Sequence, residues 1–308
     1  MNDTEVYPLV SVVIPVFNGA NYLEQAIESA LNQDYPSIEI LVVNDGSEDE
    51  GQTLGILERY KDKVRIFNKE NGGVASALNL GIRNMEGEFF SWLSHDDLYY
   101  PNKVSEEYRA YQSQKRKNAI IYSDYLVFSP ENPTGYLEKM SKTTPELFRY
   151  WLLTKSQLHG CTLFIPKSAF TECGEFDENL KTTQDYDMWF RMSKEYDFVY
   201  LDKCLVKFRV HPNQDSNKLK ETALAECNVF YEKSTLQLTA DEVIGGSGLD
   251  LKTGLYEMLV NFQSRGWKVA AEKLSLKLGL ETVHTEAIPR PYRPLLGKIW
   301  RRIVRTFN

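Results

Sequence analysis

Along the first 128 residues, short apolar runs alternate with segments whose apolar residues recur every three or four positions. The runs are VSVVIPVF, EILVVND, VRIFNKE and EFFSWLS, and the periodic segments are NYLEQAIESALNQ, EDEGQTLGILERY, GGVASALNLGIRNM and NKVSEEYRAYQSQ. A continuous apolar run reads as a strand covered on both faces, and an amphipathic segment of about 12 residues reads as the crossover to the next parallel strand. The pattern predicts an α/β fold that opens with a parallel sheet flanked by helices. In such sheets ligands bind outside the carboxyl ends of the strands, where loops and helix N-termini gather. That rule places Pro15–Asn18, Asn44–Ser47, Glu70–Gly73 and Ser94–Asp97 around one crevice.

Beyond Asp124 the rhythm becomes irregular. LHGCTLFIPKSAF, the helix-like QDYDMWFRMSKEY and the strand-like DFVYLDKCLVKFRVH are read as completing the sheet and building a second wall of the crevice. PNQDSNK is a loop, and the chain from Leu219 onward reads as helical with a break at Gly245–Gly248. The predicted domains are 1–217 and a helical region 218–308.

Composition narrows the function classes. A 308-residue chain with 42% hydrophobic residues is globular, and its net charge of -7 argues against a surface built for nucleic acid. No apolar stretch approaches the roughly 20 residues of a membrane span, and the N-terminus lacks a secretory pattern, so the expected location is cytoplasmic. Against this acidic background the tail carries Arg290, Arg293, Lys298, Arg301, Arg302 and Arg305 interleaved with Ile299, Trp300, Ile303, Val304 and Phe307. Residues 287–308 read either as a basic amphipathic helix on an anionic membrane face or as a terminal helix packed on the body. Cys161, Cys173, Cys204 and Cys227, and His95, His159, His211 and His284, are dispersed without metal-ligand spacing, so any metal is expected to lean on carboxylates.

The crevice loops hold the candidate chemistry. Asp96 and Asp97 end an apolar run as adjacent acids that repel unless a cation relieves them, which suits Mg²⁺ or Mn²⁺ holding a diphosphate. Asp97 also reads as a cap for the helix that follows. In NDGS, Ser47 and Glu50 fit a capping box, whereas Asp45 suits a hydrogen bond from a base or ribose. Gly72 and Gly73 either expose backbone N–H groups to phosphate or make a tight turn. Asp185 and Asp187 start a helix, where an acid favours the helix dipole, and Asp185 also reads as a general base. Arg209 and His211 share a face at a strand end, a cation and a ligand suited to a diphosphate, or else a loop anchor.

The order VSVVIPVFN, LVVNDGSEDE, NGGVASALNLGI, SHDD, TTQDYDMWFRM, FRVHPNQDS resembles the inverting glycosyltransferases of family 2, over about residues 9 to 217. The resemblance implies a GT-A fold with a mixed, mainly parallel sheet, a UDP-sugar donor, and Mn²⁺ or Mg²⁺. It implies that Pro15, Val16 and Phe17 border the uracil and Asp45 hydrogen-bonds it. Asp96 would be the principal metal-site aspartate with Asp97 beside it, and His211 would lie in the loop closing on the diphosphate. Asp185 would be the catalytic base for an acceptor hydroxyl on a glycan or lipid-linked glycan, in cell-surface polysaccharide synthesis. Three positions depart from the usual pattern: Ser94 stands where many members carry an acid, Gln184 replaces Glu, and Leu78 replaces Arg. The absence of a Q-x-x-R-W motif favours single-sugar addition. A nucleotidyltransferase would use the same crevice but calls for a basic glycine-rich loop that VFNGANYLEQ lacks, and an inactive carbohydrate-binding scaffold is opposed by Asp45, Asp96 and Asp185.

Overall fold

The computed structural model describes residues 7–277 apart from 117, 141, 156, 157, 213 and 215–218. The tail segment 287–308 therefore lies outside the described residues. Four parallel strands form the first half of one nine-stranded sheet: β1 (Val10–Val16), β2 (Ile38–Asp45), β3 (Arg65–Lys69) and β4 (Phe89–Trp92), ordered β3-β2-β1-β4. Between them run α1 (Leu23–Leu31), α2 (Gln52–Tyr60) and α3 (Val74–Asn84), each burying one apolar stripe, such as Leu23, Ala26, Ile27 and Ala30 in α1.

The second half turns the sheet mixed. After the two-residue β5 (Leu98–Tyr99) and α4 (Lys103–Gln112) come β6 (Ala119–Phe128), β7 (Tyr136–Glu138) and α5 (Phe148–Thr154). Then follow β8 (Leu163–Pro166), α6 (Ser168–Cys173), α7 (Gln184–Met192) and β9 (Asp197–Arg209). The order continues β4-β8-β6-β9-β5, with β8 antiparallel to both neighbours, β9 parallel to β6, and β5 antiparallel to β9. The core beneath β4 is aromatic: Phe89 stacks on Phe164 at 4.6 Å and meets Tyr108 and Tyr111 edge-on.

The chain divides into two compact units after Ala223, inside α8 (Lys220–Thr235), a few residues beyond the boundary at 217 expected from the loop. The second unit continues with α9 (Ala240–Ser247), α10 (Leu251–Ser264) and α11 (Lys268–Lys277). Thr239 and Glu242 form a reciprocal capping box at the start of α9, and left-handed Gly248 ends it at the expected break. Among the described residues no helix is long and apolar enough to cross a membrane.

Candidate active site

The four predicted loops do meet at the carboxyl ends of the parallel strands. Asn18 N donates to Ser47 Oγ (2.9 Å) and Glu48 N to Asn18 Oδ1 (2.7 Å), joining the β1 and β2 loops. Gly72 N and Gly73 N donate to the two oxygens of Asp45 at 3.0 and 2.7 Å, joining β2 to the start of α3. A side chain on Gly19 would collide with His95, so the β1 loop also abuts the turn after β4. Pro15 and Val16 are buried at the end of β1, whereas Phe17 stands 42% exposed at the crevice.

That turn separates the two adjacent acids. It is closed by Asp97 N donating to Ser94 O (3.1 Å), and the two side chains then follow different paths. Asp96 stays near the surface, with 14% of its side chain exposed, and its Oδ2 lies 3.0 Å from His211 Nε2. Asp97 points inward and is 1% exposed. It accepts from Arg209 N (2.9 Å), and its Oδ2 faces Cys161 Sγ at 3.4 Å and His159 Nε2 at 3.5 Å. Burial, reinforced by the charge of Asp96, pushes the Asp97 carboxyl well above its ordinary range. Helix α4 begins after Asn102, which holds the N-cap position without a side-chain cap bond, so the reading of Asp97 as a helix cap is corrected.

The end of β9 supplies His211 and also fastens the turn. Arg209 Nε donates to Asp96 O (2.8 Å), its other arm donates to Gln25 Oε1 (2.8 Å), and its guanidinium lies 4.1 Å from the ring of Tyr22 and 4.7 Å from that of Phe128. A guanidinium so occupied acts as a bracket between β9, α1 and the Asp96 backbone. Gln214 extends the bracket, donating to Arg209 O (2.6 Å). The spacing of Asp96 and His211 fits a divalent cation: neighbouring ligands of an octahedral ion, each about 2.1 Å from it, stand about 3.0 Å apart.

Asp45 is committed to its own surroundings more than its sequence suggests. Besides the two glycine amides, Lys69 Nζ donates to Oδ1 at 2.7 Å. Gly73 adopts φ +90°, a conformation L side chains rarely take, so the turn that presents both amides depends on this glycine. The N–H groups considered above as phosphate ligands are thus turned onto a carboxylate. The capping box expected from Ser47 and Glu50 does not form either. Helix α2 starts at Gln52 after left-handed Gly51, Ser47 is taken by Asn18, and Asp49 accepts from Thr53 N.

Asp185 lies in the first turn of α7, half-buried, and accepts from Tyr186 N at 2.8 Å. Burial raises its pKa from an ordinary 3.8 to about 6, partly opposed by backbone hydrogen bonds. Asp187 is instead paired with Arg191 at 2.8 Å. The loop leading into α7 is strapped to α3: Asn79 exchanges hydrogen bonds with Phe176 backbone, Arg83 pairs with Glu175, and Lys181 Nζ donates to Gly72 O.

Sequence reasoning passed over Lys69, Gln25, Tyr22, His159 and Cys161. The last two are corrections. They were read as dispersed, yet an H-x-C spacing followed by the return of β8 beside β4 brings both to Asp97. Among four scattered histidines and four scattered cysteines, only that short spacing was available as a signal.

Residues 11–174 match the family profile described as Glycosyl transferase family 2. The chain belongs to that family. Relatives of this family 2 glycosyltransferase include uncharacterized glycosyltransferases of Rickettsia bellii (46% identical over 246 residues, 79% of this chain and 35% of the relative) and Rickettsia typhi (41% over 271 residues, 87% and 84%). A hyaluronan synthase of Pasteurella multocida is 30% identical over 226 residues, 72% of this chain and 22% of the relative. The chain spans only 35 to 40% of the length of three of its Rickettsia relatives. Solved structures with a similar fold are S. aureus TarS 1-349 in complex with UDP-GlcNAc (TM-score 0.59, 17% identity, 89% of this chain and 93% of that one) and a Pyrobaculum calidifontis mannosyltransferase in complex with GDP-Man and Mn²⁺ (TM-score 0.57, 16%, 94% and 84%).

Proposed function

We propose that this glycosyltransferase moves a sugar from a UDP-sugar to a hydroxyl of a glycan or lipid-linked glycan with inversion at the anomeric carbon, in the presence of Mn²⁺ or Mg²⁺, in cell-surface polysaccharide synthesis. The observation that carries the reading is the Asp96–His211 pair, 3.0 Å apart at the carboxyl end of β4. These two residues would hold the cation, which when bound supplies Lewis-acid stabilisation of the departing diphosphate. Pro15, Val16 and Phe17 would border the base. Asp45, an acceptor-only carboxylate, suits the N–H of uracil and would reject a base that offers a lone pair there.

The chain's own contribution to the reaction is proton transfer and positioning. Asp185 takes the proton of the acceptor hydroxyl as its oxygen bonds to the anomeric carbon, and the carbon–phosphate oxygen bond breaks with its electron pair leaving on UDP. A carboxylate with a pKa of about 6 is ionised at neutral pH yet basic enough to take that proton. The names of the relatives and the nucleotide-sugars in the two similar structures support a nucleotide-sugar donor.

The test is a panel of UDP- and GDP-sugars with Mn²⁺, reading nucleotide release with and without glycan acceptors and the product's anomeric configuration by NMR. Asp96→Asn and His211→Ala should lose the Mn²⁺ response. Asp185→Asn should keep nucleotide binding and lose about 10²- to 10⁴-fold in transfer. Absence of nucleotide binding across the whole panel would remove the reading. Contact of residues 287–308 with an anionic inner-face membrane belongs to the same proposal. Vesicle sedimentation should fall when those residues are deleted.

A further inference from the structure

Behind the Asp96 pair lies a second group of metal-ligating side chains that the transfer chemistry does not use. Asp97, His159 and Cys161 come from the β4 turn and the segment leading into β8, and their ligand atoms all lie within 4.8 Å of one another. We infer that these three residues form a separate, buried site for a soft divalent cation, Zn²⁺ above all, distinct from the Mn²⁺ or Mg²⁺ pair at Asp96 and His211.

The spacing is the first argument. Asp97 Oδ2 stands 3.5 Å from His159 Nε2 and 3.4 Å from Cys161 Sγ. An imidazole N–H on a carboxylate closes to about 2.9 Å, so 3.5 Å is long for a hydrogen bond. Tetrahedral ligands about 2.0 to 2.3 Å from Zn²⁺ stand about 3.3 to 3.7 Å from each other, which both separations match. The second argument is polar satisfaction. His159 Nδ1 is buried with no hydrogen-bond partner, so the imidazole leans on the long contact of Nε2 with Asp97, which an ion held at Nε2 would replace with a ligand bond. Third, charge closes: a thiolate and a carboxylate neutralise a divalent ion, and the neutral imidazole adds no charge to a buried place.

Ligand chemistry keeps the two sites apart. A thiolate and an imidazole select Zn²⁺ over the harder Mn²⁺ and Mg²⁺. Ser94 Oγ, 3.3 Å from Cys161 Sγ, is at hand as the fourth donor. This is the position where many family members carry an acid. An acid there would give this cluster a third negative charge, whereas the hydroxyl leaves it balanced.

The experiment reads metal rather than sugar transfer, so it stands or falls apart from the proposed donor chemistry. Full-length protein exposed to Zn²⁺ and gel-filtered against excess Mn²⁺ should retain about one equivalent of zinc by elemental analysis. Its Co²⁺-substituted form should show a thiolate-to-cobalt charge-transfer band in the near ultraviolet. Cys161→Ser, which keeps the side-chain shape, and His159→Ala should each lower zinc occupancy by about tenfold or more and the first should abolish the band. Asp96→Asn should leave both signals in place. Circular dichroism and gel filtration identify any variant that fails to fold, and Cys161→Ala then replaces Cys161→Ser. Wild-type protein that retains no zinc and gives no cobalt band would overturn the site, as would a folded cysteine variant that keeps either signal.

Discussion

At the scale of single residues, Asp185 links reactivity to a folding cost. Its pKa of about 6 against an ordinary 3.8 means that the folded state binds this proton more tightly than the unfolded chain. The stabilisation this gives is fully present below about pH 3.8 and is lost as pH rises through about 6, beyond which the buried carboxylate charge works against folding. A shift of this size is worth at most about 3 kcal/mol, less for a half-buried group. Asp185→Asn should therefore be more stable than wild type at pH 8, by about 1 to 3 kcal/mol in denaturant melts, with the difference vanishing near pH 4. If Asp185 is the base as proposed, transfer by the wild type should fall about tenfold per pH unit below about pH 6 in kcat/KM as it protonates. A pH profile flat through that region would show that another group takes the proton.

At the scale of elements, the turn joining β3 to α3 is held by a carboxylate and a lysine as well as by its glycines. Lys69→Met should leave Asp45 with its two amide donors but without its cation. The expected result is weaker donor binding by about tenfold in titration calorimetry and a lowered melting temperature, because the buried Asp45 carboxylate keeps its two amide donors but loses its cation. Gly160 makes a closer approach: a Cβ there would come 2.3 Å from the Trp92 ring. Gly160→Ala should cost about 1 to 3 kcal/mol by overpacking, read by thermal melting.

The same elements show what a sequence displays and what it hides. Strand and helix positions in the first half were legible because burial on both faces imposes continuous apolar runs on β1, β2 and β4, whereas β3, at the sheet edge, is only half-buried. Asp96 and Asp45 were legible because an acid at the end of such a run needs a reason. The antiparallel insertion of β8 beside β4 was not, since a four-residue strand carries no period. Without that pairing nothing brings His159 and Cys161 to Asp97, across more than 60 residues of chain. Nor does a run ending in two acids reveal that the first stays near water and the second turns inward.

At the scale of the whole molecule, the second unit has a core of its own. Tyr231 stacks on Trp267 at 3.7 Å and meets Phe262 edge-on, with Met258 and Leu259 fully buried beside them. Trp267→Ala should cost this unit about 3 to 5 kcal/mol. Calorimetry should show a lowered transition while donor affinity, if set by the first-unit residues proposed above, stays within about twofold of wild type. A single transition shifted as a whole would mean that the two units unfold together.

Strand β9 is the last of the sheet in chain order, yet it lies between β6 and β5 and delivers both Arg209 and His211 to the turn at Asp96. During synthesis the first 200 residues can pair most of the sheet while Asp96 waits for a partner 115 positions further on. On the proposed function, a nascent or prematurely terminated chain would lack the Asp96–His211 pair. If the pair holds the cation as proposed, the topology delays catalytic competence until the domain is nearly complete, and fragments lost to incomplete translation would draw nothing from the donor pool.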